Sequence, residues 1–277
     1  MLIDAFPFCN ELDVLDIRLN TLDAYVDYFI LVESEKTQTL KDKPLYFDKN
    51  KERYAQFLKK IVHVKVLGNE CSGLDPTTWQ MEHFQRNCIQ KGINTIQTKL
   101  NLTAHGEHYV MISDADEIPN LEILYKATSR WDLTKPISFD MTYHTFYLNL
   151  LTKNKRWIGT VLAPLNTIVN ATPQGVRNSK DNIAQQIKGG WHLGYMGGKE
   201  MVYKKFFNCV EPMDKSLIPP FEVFSKEFDR KIKNTGSFLF SDKKDDSITL
   251  EEHPVEYPTL PQYVIENKEK LNHLIFK

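Results

Sequence analysis

The sequence predicts an α/β fold: a mostly parallel central sheet with helices on both faces, built as one domain. Two observations carry that prediction. Apolar runs of strand length at 2–6, 27–33, 61–67 and 108–112 alternate with segments of helical character, the pattern of strand–helix–strand units. Two of these runs also end in carboxylates: Glu33 in one, and Asp114, Asp116 and Glu117 in the other. Open α/β sheets bind their ligands outside the carboxyl ends of such strands.

The first strand, 2–6, is apolar and ends before Pro7. Asn10 stands where a helix N-cap belongs, with Asp13 three residues on. Leu12, Leu15, Leu19 and Leu22 then recur at helical spacing and give one buried stripe. The second strand, 27–33, leads into a polar loop at 34–44. A charged amphipathic helix at 50–60 precedes the third strand, 61–67. After a loop at 68–76 comes a long helix, 78–100, which Gly92 is placed to break. The run 108–112 reads as a buried strand, and Pro119 with Asn120 opens the next helix, since proline suits a first turn.

The second half is less regular. Residues 137–150, rich in aromatics (Phe139, Tyr143, Phe146, Tyr147), form one long strand or two. Residues 157–169 read as a strand pair and 173–188 as a polar stretch. A glycine-rich segment, 189–198, surrounds Trp191 and His192. Helices at 198–207 and 220–234, a solvated loop at 241–247 and a closing helix at 260–276 complete the reading. No internal repeat or linker divides the chain.

Of the 277 residues, 42% are hydrophobic and 26% charged, which is ordinary for a globular protein with a real core. The formal net charge of −1 argues against general attraction to nucleic acid or anionic membrane. Residues 1–6 lack the basic and apolar regions of a signal peptide, and no run reaches the length of a membrane span. Cys9, Cys71, Cys88 and Cys209 are scattered, without a CxxC. They read as reduced thiols in a cytoplasmic protein, not as a zinc site or disulfide framework.

The stretch His108-Tyr109-Val110-Met111-Ile112-Ser113-Asp114-Ala115-Asp116-Glu117-Ile118-Pro119 organises the chemistry. Asp114 and Asp116, two apart, point the same way on an extended strand, and a turn lets both converge on one ion. Clustered carboxylate oxygens suit a hard cation such as Mg²⁺ or Mn²⁺. Aspartates are equally at home in a solvated strand-to-helix turn, so spacing alone leaves both readings open.

The order of motifs resembles glycosyltransferase family 17, of the GT-A (Rossmann-like) fold. The resemblance rests on Asp4-Ala5-Phe6-Pro7-Phe8, Asn10-Glu11-Leu12-Asp13, Ile17-Arg18-Leu19-Asn20, the run from Val26 to Glu33, and Lys43-Pro44-Leu45-Tyr46-Phe47. Phe84-Gln85-Arg86-Asn87, Ile112 to Pro119 and Gly190-Trp191-His192 complete it. It covers roughly 3–200, in order, and so is far more specific than a lone DxD. It fades after Gly198: where the family has a His two residues before a Glu, this chain has Asn208-Cys209-Val210-Glu211.

The resemblance implies an inverting, UDP-sugar-dependent transfer, most directly of N-acetylglucosamine, to a glycan hydroxyl. UDP-glucose, UDP-galactose and UDP-xylose stay open as donors. It implies a nucleotide-sugar-binding half, 1–120, and an acceptor-binding half, 121–277, within one domain. Asp116, with Asp114 beside it and His192 as a further ligand, would hold Mn²⁺ or Mg²⁺, which acts as a Lewis acid on the leaving diphosphate. Phe6, Pro7, Glu33, Arg86, Asn87, Asp114, Glu117 and Trp191 are the implied donor-binding residues. Asp181 and Glu211 are the candidates for the carboxylate base. Blander roles compete: His192 and Trp191 as core residues, Glu33 as a strand-end charge, Arg86 as the partner of Glu82 on a helix face, and Asp181 and Glu211 as surface acids. Two other functions stand as alternatives, a metal-dependent phosphoester hydrolase and a non-catalytic glycan-binding protein. The hydrolase needs more ligands than the scattered histidines offer. In this reading the protein is cytoplasmic, microbial or viral, with no membrane anchor, no nucleic-acid partner and an open oligomeric state.

Overall fold

The sheet grows from β1 (Leu2–Phe8), which pairs in parallel with β2 (Tyr28–Ser34) on one side and β4 (Tyr109–Ile112) on the other. The computed structural model describes residues 1–103, 106–210, 215–235, 237–239 and 247–277. β1 runs through Pro7 instead of stopping before it. The Ala5 carbonyl accepts from Ser113, so by alternation the Pro7 nitrogen faces the same side, beyond Ile112, the last β4 residue paired with β1. A missing N–H costs the ladder nothing there.

The remaining elements follow in chain order. α1 (Leu12–Leu22) precedes β2, and α2 (Tyr46–Lys49) precedes β3 (Ile61–Val66). The helices α3 (Gln80–Asn87) and α4 (Ile89–Leu100) lead to β4. Then come β5 (Glu117–Pro119), α5 (Leu121–Lys126), β6 (Ile137–Thr145), β7 (Leu150–Pro164), α6 (Leu165–Asn170), α7 (Pro173–Asn178) and β8 (Gln185–Gly194). α8 (Gly198–Asn208), α9 (Phe221–Thr235), β9 (Ser237–Leu239), β10 (Ser247–Glu252) and α10 (Gln262–Glu266) close the described chain.

The strand order is β3-β2-β1-β4-β7-β6-β8-β5, with β10 on β7 and β9 on β10. The segment 3-2-1-4 is parallel throughout, the order of a Rossmann half-sheet. All four strands expected from the apolar runs therefore share one sheet. Beyond β4 the pairing turns antiparallel, apart from the parallel β6–β8 pair, and the sheet as a whole is mixed.

Alternation along β1 sends Phe6 and Phe8 to one face and Ile3 and Ala5 to the other. The first face packs on Leu15, Leu19 and Leu22 of α1, and the second on Ile89, Ile93 and Ile96 of α4. Helices cover both faces, as expected. A third cluster joins Phe206 of α8 to Phe224 and Phe228 of α9.

Several local expectations give way to tertiary contacts. Asn10 does not cap α1; Glu11 occupies the cap position and turns its carboxylate back onto the Cys9 and Asn10 amides. The helix expected at 50–60 is a 3₁₀ segment after α2, Lys51–Phe57, kinked at Tyr54. The long helix breaks at Cys88, not at Gly92. Gly92 lies inside α4, where a Cβ would stand 2.4 Å from Ile30 of β2, so the residue serves close helix–sheet packing. Pro119 ends β5 rather than starting a helix, and Asn120 caps α5 by accepting from Glu122. The strand pair expected at 157–169 is the end of β7 plus α6. The closing helix is short, Gln262–Glu266, with a 3₁₀ turn at Asn272–Leu274. Most of the loop expected at 241–247 lies outside the described residues.

Candidate active site

β4 delivers the chain to a tight turn at 113–116 before β5 pairs with β8. The carbonyls of that turn are held from beneath by Arg18 of α1. Its Nη1 donates to the carbonyls of Asp114, Ala115 and Glu117 (3.0, 3.3 and 2.8 Å), and its Nη2 to Ser113 Oγ (2.6 Å). A buried turn must satisfy its carbonyls internally, and one fork of donors serves three of them.

The side chains above the turn divide sharply. Asp114 is gripped by two arginines: Arg86 Nη2 of α3 at 2.5 Å and Arg177 Nη2 of α7 at 3.2 Å. Burial alone would push the Asp114 carboxyl up, but the two guanidiniums outweigh it and hold the group well below the usual carboxylate range. Arg86 also pairs with Glu82 at 2.8 Å, so its two readings from sequence, donor-side cation and helix-face partner, describe one network. Arg177 also bonds Glu117. Glu117 accepts as well from Trp157 Nε1 at 2.5 Å and from the Asp114 amide at 3.1 Å. It is fully buried beneath the cleft and ties the turn down.

Asp116 faces the other way. Its Oδ1 lies 3.7 Å from His192 Nε2 and its Oδ2 lies 3.5 Å from Lys205 Nζ of α8. Burial would raise its pKa, but Lys205, followed by His192, brings it below the ordinary value. Strand pairing explains the meeting with His192. β5 and β8 run antiparallel with Glu117 opposite His192, and the Asp116 carbonyl accepts from Leu193 at 2.7 Å. The approach requires Gly190, whose φ of +113° and missing Cβ allow the Ile118 carbonyl to come where a Cβ would be 2.6 Å away.

His192 packs against both Tyr143 (centroids 4.5 Å apart) and Trp157 (4.4 Å), two rings that also touch each other. Its Nδ1 is buried with no hydrogen-bond partner among the described residues. Stacking thus orients the ring in place of the second hydrogen bond that usually fixes a metal-bound histidine.

These groups line one cleft of about 560 Å³. Pro7 and Lys36, Thr37 and Gln38 line it together with Trp79, Arg86, Asp114, Asp116, Lys180, Asp181, His192 and Lys205. Asp181 sits in a 3₁₀ turn just after α7. Cys9 also lines the cleft, but burial, with Glu11 adding to it, pushes its thiol up to about 12, so it stays protonated and is a poor nucleophile.

Other residues assigned to donor binding from sequence lie elsewhere, for identifiable reasons. Glu33 is fully buried, and its carboxylate accepts from the Phe47 amide at 2.9 Å and meets His63 Nε2 at 3.1 Å, which leaves it no face on the cleft. Phe6 is core beneath the Arg18 guanidinium. Asn87 accepts from the Gln174 amide at 3.0 Å and braces α3 against α7. Trp191 alternates away from His192 into the core and donates to the Pro258 carbonyl at 3.1 Å. Glu211 lies outside the described residues.

Arg18, Arg177, Lys205, Tyr143 and Trp157 had no role from sequence. Arg177 was within reach: Thr172-Pro173 is a helix-start signal, and Thr172 does cap α7 by accepting from Gly175 at 3.0 Å. Among the described residues, no group of three or more His, Cys, Asp or Glu side chains is placed to hold a metal. A divalent ion here would have Asp116 and His192 as its protein ligands. Asp114 fits poorly, since both its oxygens are held by arginines. No described helix is long and apolar enough to cross a membrane.

The sequence profile of glycosyltransferase family 17 matches residues 1–204. No curated protein shows significant sequence similarity to the chain. Among solved structures, the crystal structure of S. aureus TarS 1-349 aligns over 85% of this chain and 72% of that one, at 11% identity and a TM-score of 0.38. A likeness that slight carries no argument about the site.

Proposed function

The chain belongs to glycosyltransferase family 17, and on that premise we propose that it transfers a sugar from a UDP-sugar to a glycan hydroxyl with the help of Mn²⁺ or Mg²⁺. The observation that supports this reading is the meeting of Asp116 and His192 in the cleft, 3.7 Å apart at the end of the parallel half-sheet. N-acetylglucosamine is the sugar that the family suggests. UDP-glucose, UDP-galactose and UDP-xylose are the competing donors.

In a single displacement the acceptor oxygen bonds to the anomeric carbon and its proton passes to a base. The bond from that carbon to the diphosphate breaks, and the electron pair stays on the phosphate oxygen. A bound divalent ion would supply Lewis-acid stabilisation of that oxygen. Asp116 and His192 are the residues that would hold it. Asp114, neutralised by Arg86 and Arg177, fixes the turn from which Asp116 projects. Asp181, lining the cleft, is the base candidate among the described residues. Carboxylate bases of this kind contribute about 10²- to 10⁴-fold.

The test is a panel of UDP-sugars with Mn²⁺, read as UDP release with and without oligosaccharide acceptors. Release from one donor, abolished by chelation, is the expected result. Phosphate release from simple esters, abolished by chelation, would point to a metal-dependent hydrolase instead.

A further inference from the structure

Among the described residues, five Lys and Arg side chains line the cleft: Lys36, Arg86, Arg177, Lys180 and Lys205. Four are committed at hydrogen-bond distance. Lys36 holds Asp42 at 2.7 Å, Arg86 and Arg177 hold Asp114, and Lys180 donates to the Ile158 carbonyl at 2.5 Å. Lys205 differs. Its ammonium stands over the Tyr195 ring, 4.6 Å from the centroid, and its nearest carboxylate oxygen among the described residues is Asp116 Oδ2 at 3.5 Å.

We propose that Lys205 binds the donor diphosphate directly, as a fixed cation beside the Asp116–His192 pair. This inference rests on the proposed donor reading. Asp114 is already balanced by arginines, so Asp116 is the one carboxylate of the pair left for an ion. An ion on one carboxylate and one neutral imidazole leaves much of a diphosphate's charge for other groups to meet. Lys205 is the cleft cation that gives up least to turn toward it. The same ammonium, so close to Asp116, repels an incoming dication. Lys205 therefore raises affinity for the diphosphate and lowers affinity for the bare metal. A residue that only held Asp116 in place would favour both.

Those opposite signs make the test. Binding of UDP in EDTA, and of Mn²⁺ alone, is measured by calorimetry on the whole chain as wild type, Lys205→Gln and Lys205→Arg. Wild type is expected to bind UDP without metal, and Lys205→Gln to lose roughly tenfold or more of that affinity, the scale of one charge-assisted contact. Mn²⁺ alone should bind Lys205→Gln at least as tightly as wild type. Lys205→Arg, which keeps the positive charge and can itself pair with phosphate, should retain most of the metal-free UDP binding. Absent metal-free binding by wild type, equal UDP affinity in Lys205→Gln, or a parallel loss of UDP and Mn²⁺ affinity each overturns the inference. Wild type that binds UDP with Mn²⁺ while any of these holds leaves the donor reading standing. Wild type that binds no UDP even with Mn²⁺ overturns both.

Discussion

Arg18 and Asp4 form a two-point ion pair in the interior, Nε to Oδ2 at 2.8 Å and Nη2 to Oδ1 at 2.5 Å, with both side chains at 0% exposure. Asp4 lies on β1 and Arg18 on α1, and the remaining donors of Arg18 hold the turn that presents Asp114 and Asp116. The pair thus couples the first strand–helix unit to the candidate site. Its function is position: it fixes where the turn sits relative to the sheet.

Breaking that pair strands a buried charge. Asp4→Asn or Arg18→Met is expected to cost about 3–5 kcal/mol of stability, the scale for removing one partner of a buried pair. Chemical denaturation checks it. A midpoint within error of wild type would mean that the buried pair adds nothing to stability.

Asp116→Asn preserves shape and removes the charge facing His192 and Lys205. A loss of roughly 10²-fold or more in turnover is expected, the scale for removing one preorganised electrostatic contact, with little change in melting temperature. Mn²⁺-dependent UDP binding by calorimetry is the companion measurement. If it is unchanged in the variant, Asp116 has no part in holding the ion.

Gly190→Ala places a methyl group 2.6 Å from the Ile118 carbonyl at a φ of +113°. The expected cost is about 1–3 kcal/mol, the range for strained backbone. Because β5 must move away from β8 to relieve it, Asp116 and His192 should separate. Melting temperature and Mn²⁺ affinity should therefore fall together. A stable variant with full metal affinity would show that the β5–β8 register is not what joins them.

The pH dependence follows from His144 on β6. Burial lowers its pKa to about 4, against the opposing pull of the Leu148 and Thr259 carbonyls. The folded state therefore refuses a proton that the unfolded state accepts below its ordinary value near 6.5. Stability tied to this group is full above about pH 6.5 and falls as pH drops from there toward 4, by roughly 3 kcal/mol in total. His144→Gln removes the titration, so its stability should decline less steeply over that window. Denaturant midpoints from pH 7 to pH 4 decide it, and parallel slopes would rule His144 out as the source.

Some of the site was legible before the fold. A continuous apolar run into Ser113-Asp114-Ala115-Asp116-Glu117 marks a strand end with acids, and a glycine-flanked histidine marks a close backbone approach. Both signals are local, and Asp116, His192, Arg86 and Asp181 do line one cleft. That other expected residues lie off the cleft also has a physical source. Glu33 and Trp191 belong to local patterns that look functional, yet α2 and the chain near Pro258 cover them. Periodicity gives an element's direction, not what packs over it.

The sequence alone determined the parallel half of this protein. Strands 2–6, 27–33, 61–67 and 108–112, and the acids at the ends of the second and fourth, follow from apolar patterning within a few residues, and strand–helix connections of that length leave little choice of topology. Only the tertiary structure decided which acid is free. Asp114 and Asp116 are chemically alike and two residues apart, but Arg177, 63 residues on, claims the first together with Arg86. Lys205 of α8 stands beside the second. Coulomb energy depends on distance in space, and the folded sheet brings these charges within 4 Å although the chain holds them far apart.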